Sequence, residues 1–222
     1  MYLSKVTMIS SPQTAHELAK LQRNGVYASH QLIWQLFSSD TKRSFLYREE
    51  MGATGMPEFY VLSKTEPQVI SPIFSCVTKV FEPKLDKGQQ LSFKLRVNPT
   101  VCVKGEDGKQ RRHDVMMQAK YNVKDELSDA QSLKMHMEQA AISWLNNEKR
   151  LDEWGITLDF QPAIDGYTQH KVQKKRHQIQ FSSVDYQGML TVQNPLKFIN
   201  QYAKGFGRAK GMGCGLMMIK RA

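Results

Sequence analysis

The sequence predicts an α+β fold, and three observations point there. Strand-like and helix-like segments alternate along 222 residues with no low-complexity stretch or long linker. The length suits one large domain or two small ones of about 110 residues. The order strand, helix, two strands, helix, strand can be written twice, over residues 1–87 and 88–222. The natural reading is two tandem ferredoxin-like βαββαβ domains.

In the first half, residues 1–9 (MYLSKVTMI) carry apolar and polar residues near period two and read as a strand. A polar stretch over 10–24 holds a weak helical segment around 16–21. Residues 26–37 place Val26, Ile33, Trp34 and Phe37 at helical spacings, and Ser38, Ser39 and Asp40 stop the helix. SFLYREE (44–50) and EFYVLSK (58–64) read as two strands joined by a glycine-bearing turn. Residues 70–80 are apolar and β-branched, but Pro72 favours a turn or an edge, so their type stays open.

The second half opens with a clearer pattern. Leu91, Phe93, Leu95 and Val97 alternate with Ser92, Lys94 and Arg96, giving a strand with a core face and a cationic face. Residues 105–114 (GEDGKQRRHD) read as a charged turn or mobile loop. A helix starts near Ser128, a capping candidate with Gln131 closing a capping box. Leu133, Met137, Ala140, Ala141 and Trp144 form its buried stripe. Residues 156–162 read as a strand, and 170–192 as two or three strands with turns at Ser182–Ser183 and Gln187–Gly188. Asn194 and Pro195 are a cap and first-turn pair for a last helix. Lys204 and Gly205 end it, and 214–219 suit a buried final strand.

Composition narrows the function. The net charge is +10, and the last 63 residues hold ten cations against two acids. A field concentrated this way attracts polyanions, nucleic acid first among them. No apolar run approaches the roughly 18 residues of a membrane span. No signal-peptide pattern is read at the N-terminus. Cys76, Cys102 and Cys214 are odd in number and far apart, which fits neither a disulfide framework nor a zinc pattern and suits a reducing cytoplasm.

Three segments carry candidate chemistry. Glycines 205, 207, 211, 213 and 215 lie with Arg208 and Lys210 in one run. Their backbone N–H groups can cradle an anion, or the glycines can simply permit tight packing. No GK[ST] follows, so the run is not a P-loop. Tyr27 and His30 stand three residues apart on one helix face. Histidine exchanges protons near neutral pH, yet a lone helix histidine is more often a packing residue than a catalyst. Lys171, Lys174, Lys175 and Arg176 make either a basic hairpin for a nucleic-acid groove or a solvated turn. No HExxH, CxxC or cofactor motif appears.

Together these pieces resemble the CasE family, the CRISPR-repeat endoribonuclease of type I-E CRISPR systems. The resemblance is carried by the opening MYLSKV, by Tyr27, His30, Trp34, Leu36 and Phe37, by Arg96, Asn98 and Pro99, and by the terminal GFGRAKGMGCGLM. It implies a metal-independent ribonuclease without cofactors that cuts precursor CRISPR RNA at the base of the repeat hairpin. It implies, too, that the protein stays on the hairpin as a Cascade subunit. By motif match His30 is the catalytic histidine and Tyr27 its partner. Arg96, Lys171, Lys174, Lys175, Arg176, Lys204, Arg208 and Lys210, with Gly205, Gly207, Gly211 and Gly213, are the expected RNA-binding set. Two departures stand out: the segment before Tyr27 is long for the family, and Arg208 replaces a small or cyclic residue. An RNA-binding scaffold without catalysis is the competing reading.

Overall fold

A computed structural model describes residues 1–126, 129–174 and 177–222, with the backbone alone at 174 and 177. The first half contains β1 (Tyr2–Met8), α1 (Pro12–Trp34), β2 (Phe45–Met51), β3 (Pro57–Ser63) and β4 (Phe74–Val80). Its strands form an antiparallel sheet in the order β2-β3-β1-β4, the ferredoxin-like order. This half departs from the full pattern at one point, since no helix lies between β3 and β4. The connection holds Pro67 and Pro72, which disfavour a helix, and is anchored by Gln68 N–H donating to the Leu36 carbonyl at 2.9 Å.

The second half contains β5 (Gln90–Val97), β6 (Thr100–Lys104), β7 (Gln110–Asp114), α2 (Val115–Asn122), α3 (Ala130–Leu145) and α4 (Glu148–Trp154). It continues with β8 (Ile156–Leu158), β9 (Ala163–Lys174), β10 (His177–Val192), α5 (Pro195–Lys204) and β11 (Met217–Arg221). The sheet order is β11-β5-β10-β8, with β9 also on β10. Residues 177–183 of β10 pair with β9 alone, so the two strands run past the sheet as a ribbon.

Several expectations change here. The segment at 105–114 is a turn only over its first half, closed by Gly108 N–H donating to the Gly105 carbonyl; Gln110–Asp114 is a strand paired with β6. Its side chains are charged on both faces, so no alternation betrays it. The turns expected at Ser182–Ser183 and Gln187–Gly188 lie inside β10. Ser182 donates to Asp114, and Ser183 pairs with His170 Nε2 at 2.8 Å, so both hydroxyls are satisfied without a turn. Gly188 is the residue that lets the Phe93 ring approach. Helices α2 and α4 are short and were not expected. The cap of α3 is Asp129, whose carboxylate accepts from Gln131 and Ser132 N–H; Ser128 lies outside the described residues.

Two cores result. Val6, Leu32, Ile33, Phe59 and Val61 fill the space between the first sheet and α1. Leu95, Val97, Leu145, Tyr186 and Phe198 fill the second. Leu46 and Leu62 of the first sheet belong to this second cluster, so the halves share apolar packing. Tyr186 Oη and Tyr202 Oη donate to the carbonyls of Ala141 and Met217 at 2.8 and 2.6 Å, pinning α3 and α5 to their surroundings.

Candidate active site

The helix carrying Tyr27 and His30 is broken just before them. Gly25 sits at φ 48°, ψ −131°, a conformation that costs an L side chain dearly, and it divides α1 in two. The second segment is tied to the first sheet twice. Tyr47 Oη donates to the Val26 carbonyl at 3.0 Å, and Ser29 Oγ donates to the Glu49 carboxylate. Burial pushes the Tyr47 hydroxyl well above its ordinary pKa, which keeps it a donor. His30 is half-buried, its ring 5.8 Å from Trp34 and 6.2 Å from Phe45 between centroids. Tyr27, also half-buried, lies one turn before it.

The glycine run comes to this histidine from the other half of the chain. After α5 it folds through a short 3₁₀ turn at Lys210–Met212 before entering β11. A Cβ on Gly211 would stand 3.8 Å from His30 Cε1, one on Gly213 3.4 Å from the Tyr47 ring, and one on Gly205 against Leu46. Gly215, at φ 90°, admits no side chain: its Cβ would lie 2.7 Å from the Phe206 carbonyl oxygen. The packing reading of the run has support, since the glycines pack tightly and by doing so bring the loop to His30. Ala209 holds a left-handed φ of 51°, a strained conformation for a non-glycine residue.

Two further cations lie within electrostatic reach of the loop's Lys210. Lys210 is half-buried, and its Nζ donates to the Lys204 carbonyl at 2.8 Å. Burial, then the charges of Arg43 and Lys204, hold its ammonium below the ordinary lysine pKa. Arg43 donates from Nη1 to the Phe45 carbonyl at 3.1 Å, beside the ring that flanks His30. Sequence reasoning passed over Arg43, which sits in an unpatterned loop; its signal is spatial. A lysine ammonium held down by burial and by two neighbouring cations is a place where an anion is welcome.

The remaining predicted cations separate. Arg96 faces inward: its Nε donates to Asp185 at 3.0 Å and its Nη1 to the Glu49 carbonyl at 2.8 Å. Arg48 of β2, almost wholly buried, donates to the same Asp185 carboxylate at 3.0 Å and pairs with Glu50. Arg96 was expected to grip RNA; here it joins the two halves. Lys171 and Arg208 line a second cavity of about 510 Å³, together with Arg112, which sequence reasoning also missed. Lys174 belongs to β9 by its backbone, while Lys175 and Arg176 lie outside the described residues. Between the halves lies a cleft of about 420 Å³, lined among others by Tyr47, Arg96, His170 and Gly213. Among the described residues, no three His, Cys, Asp or Glu side chains are grouped to hold a metal ion, and no helix is long and apolar enough to cross a membrane.

Comparison with known proteins gives this arrangement a family. The sequence pattern of the family described as CRISPR associated protein matches residues 1–221. The chain belongs to that family. A curated relative, the CRISPR system Cascade subunit CasE of Escherichia coli (strain K12), is 28% identical over 222 residues, covering 99% of this chain and 98% of its own. Two solved structures show the same fold for this CRISPR-associated protein. The CRISPR endoribonuclease Cse3 bound to a 19-nucleotide RNA aligns with a TM-score of 0.73 at 23% identity, over 99% of this chain and all of its own. Cas6e from Escherichia coli K-12 aligns with a TM-score of 0.67 at 23% identity, over the whole of both chains. The tandem ferredoxin-like fold and the CasE resemblance are thus borne out.

Proposed function

We propose that this protein is a metal-independent endoribonuclease that cuts precursor CRISPR RNA at the base of the repeat hairpin. It keeps the hairpin bound as a Cascade subunit in the cytoplasm. The dividing line between its two domains is drawn near residue 87. One observation carries the catalytic reading: the glycine loop of the second half comes to the His30 ring of the first, and its Lys210 feels the charges of Arg43 and Lys204. The relatives' names, an endoribonuclease bound to RNA and a Cascade subunit, agree with it.

RNA supplies its own nucleophile, the 2′-hydroxyl next to the scissile phosphate. Holding that oxygen in line with the leaving 5′-oxygen supplies much of the acceleration. His30 moves a proton, from the 2′-hydroxyl or to the leaving oxygen. Tyr27 orients the phosphate or shares the proton. Lys210, Arg43 and the loop N–H groups stabilise the charge that develops on the non-bridging oxygens. The products are a 2′,3′-cyclic phosphate, or its opened 3′-phosphate, and a 5′-hydroxyl. Incubating the protein with its repeat RNA in EDTA and mapping the ends tests this. Cyclic-phosphate and 5′-hydroxyl ends are the expected result; no cutting under chelation overturns the metal-free reading.

A further inference from the structure

The cavity that holds Lys171 and Arg208 has a floor that is unfinished by the protein itself. Asn98 lines it and is only 6% exposed, yet its amide oxygen has no hydrogen-bond partner. An orphaned buried acceptor is costly and marks a place where a ligand completes the structure. The oxygen is itself shielded, so a ligand reaches it only after the amide turns about its last side-chain bond, and the turned amide offers an acceptor and a donor.

One wall is aromatic. His170 and Phe181 stack across β9 and β10 with centroids 4.5 Å apart and planes 20° from parallel. Arg112 of β7, Lys171 and Arg208 supply positive charge, and Asp114, the carboxylate on the rim, is occupied by Ser182 and the Met117 N–H. A volume of about 510 Å³ is in the range of small-ligand pockets and too small for a duplex. The cavity also lies close to His30. Arg208 lines it and Gly211 lies near His30, three residues apart, which is at most about 10 Å of chain. Strained Ala209 stands between them, turning the loop from one site to the other.

The geometry points to a nucleotide-binding subsite, in which an unpaired nucleotide flanking the cut stacks on the His170–Phe181 pair and is read at its base edge by Asn98. This rests on the ribonuclease reading of the His30 site. Stacking of a base on an aromatic surface, with phosphate contacts from Arg112 and Lys171, is the recognition expected of a single strand.

The test uses two repeat RNAs that carry a 2′-deoxy nucleotide at the cut. One ends at that nucleotide; the other continues for three unpaired nucleotides. Fluorescence anisotropy with the full chain should show the longer RNA binding about tenfold tighter, as one stacked base warrants. Asn98→Ala and Phe181→Ala should shrink the difference to under twofold, with the shorter RNA held as by the wild type. Arg112→Ala, on an exposed side chain, should shrink it in part. Equal wild-type affinity for the two RNAs, or variants that weaken both alike, overturns the subsite. Failure of the wild type to bind either RNA sinks the underlying ribonuclease reading instead.

Discussion

His30 is half-buried, enclosed in part by the seam between the halves, whereas the Lys171–Arg208 cavity one step along the same loop is open and lined by cations. The enclosed side is built between the halves: Gly211 and Gly213 leave no more than room for a Cβ before His30 and Tyr47, and Arg48 and Arg96 share Asp185. The open side is built by charge on two projecting strand pairs, β6–β7 and β9–β10. The contrast teaches that chemistry and grip ask for different physics. In-line attack needs atoms placed within fractions of an ångström, which packing supplies. Holding a polyanion needs distributed cations, whose individual effects are modest.

The largest expected effect lies at the enclosed site. His30→Ala should slow cleavage about 10²–10⁴-fold while hairpin affinity stays within about threefold, as general acid–base catalysis predicts. Rates under single-turnover conditions and anisotropy on the same preparation check it. A variant that cuts at the wild-type rate would remove His30 from the mechanism.

Next comes the loop. Gly215→Ala places a Cβ against a backbone oxygen at a φ of 90° and should cost about 2–3 kcal/mol of stability. Cleavage should fall with it, because Lys210 and Gly211 are displaced from His30. Thermal unfolding beside single-turnover rates measures both. Unchanged cutting would mean that the loop does not place the reacting groups.

Asp185→Ala should cost about 2–3 kcal/mol. It strands buried Arg48, although Asp185 itself is a fifth exposed, which lowers the effect below that of a fully buried pair. Asp185→Asn, which keeps an acceptor, should recover part of the loss. Denaturant unfolding compares the two. Equal stability of both variants and the wild type would show that the ion pairs do not hold the halves together.

The smallest effects belong to the open side. Lys171→Ala and Arg208→Ala should each weaken binding of repeat RNA that continues past the cut by a few-fold and reduce the salt slope by about one phosphate contact. The cleavage rate at saturating RNA should not move. If either variant slows the saturated rate tenfold, the division between enclosed and open regions fails.

How much of this was legible in the sequence depended on range. The alternating Leu91–Val97 face, the Asn194–Pro195 cap and the Tyr27–His30 spacing are local, and the structure keeps each where the chain announces it. The Arg96 role was not legible, because a cationic strand face looks the same whether it meets phosphate or Asp185. Ser182 and Ser183 suggest a turn until Asp114 and His170, distant in the chain, satisfy them. Arg43 and Arg112 sit in stretches without pattern and gain meaning only from their neighbours. Of the candidate site, the shared helix face of Tyr27 and His30 was readable and their neighbours across the two halves were not.

The central claim is that this fold holds the RNA's own 2′-hydroxyl for attack beside His30. The direct measurement replaces that hydroxyl with hydrogen at the scissile nucleotide of the repeat RNA, leaving every protein contact in place. Binding should be unchanged by anisotropy, and no product should form over a time in which the all-ribose RNA is fully cut. Cleavage of the deoxy-substituted RNA at the same bond and a comparable rate would contradict the account.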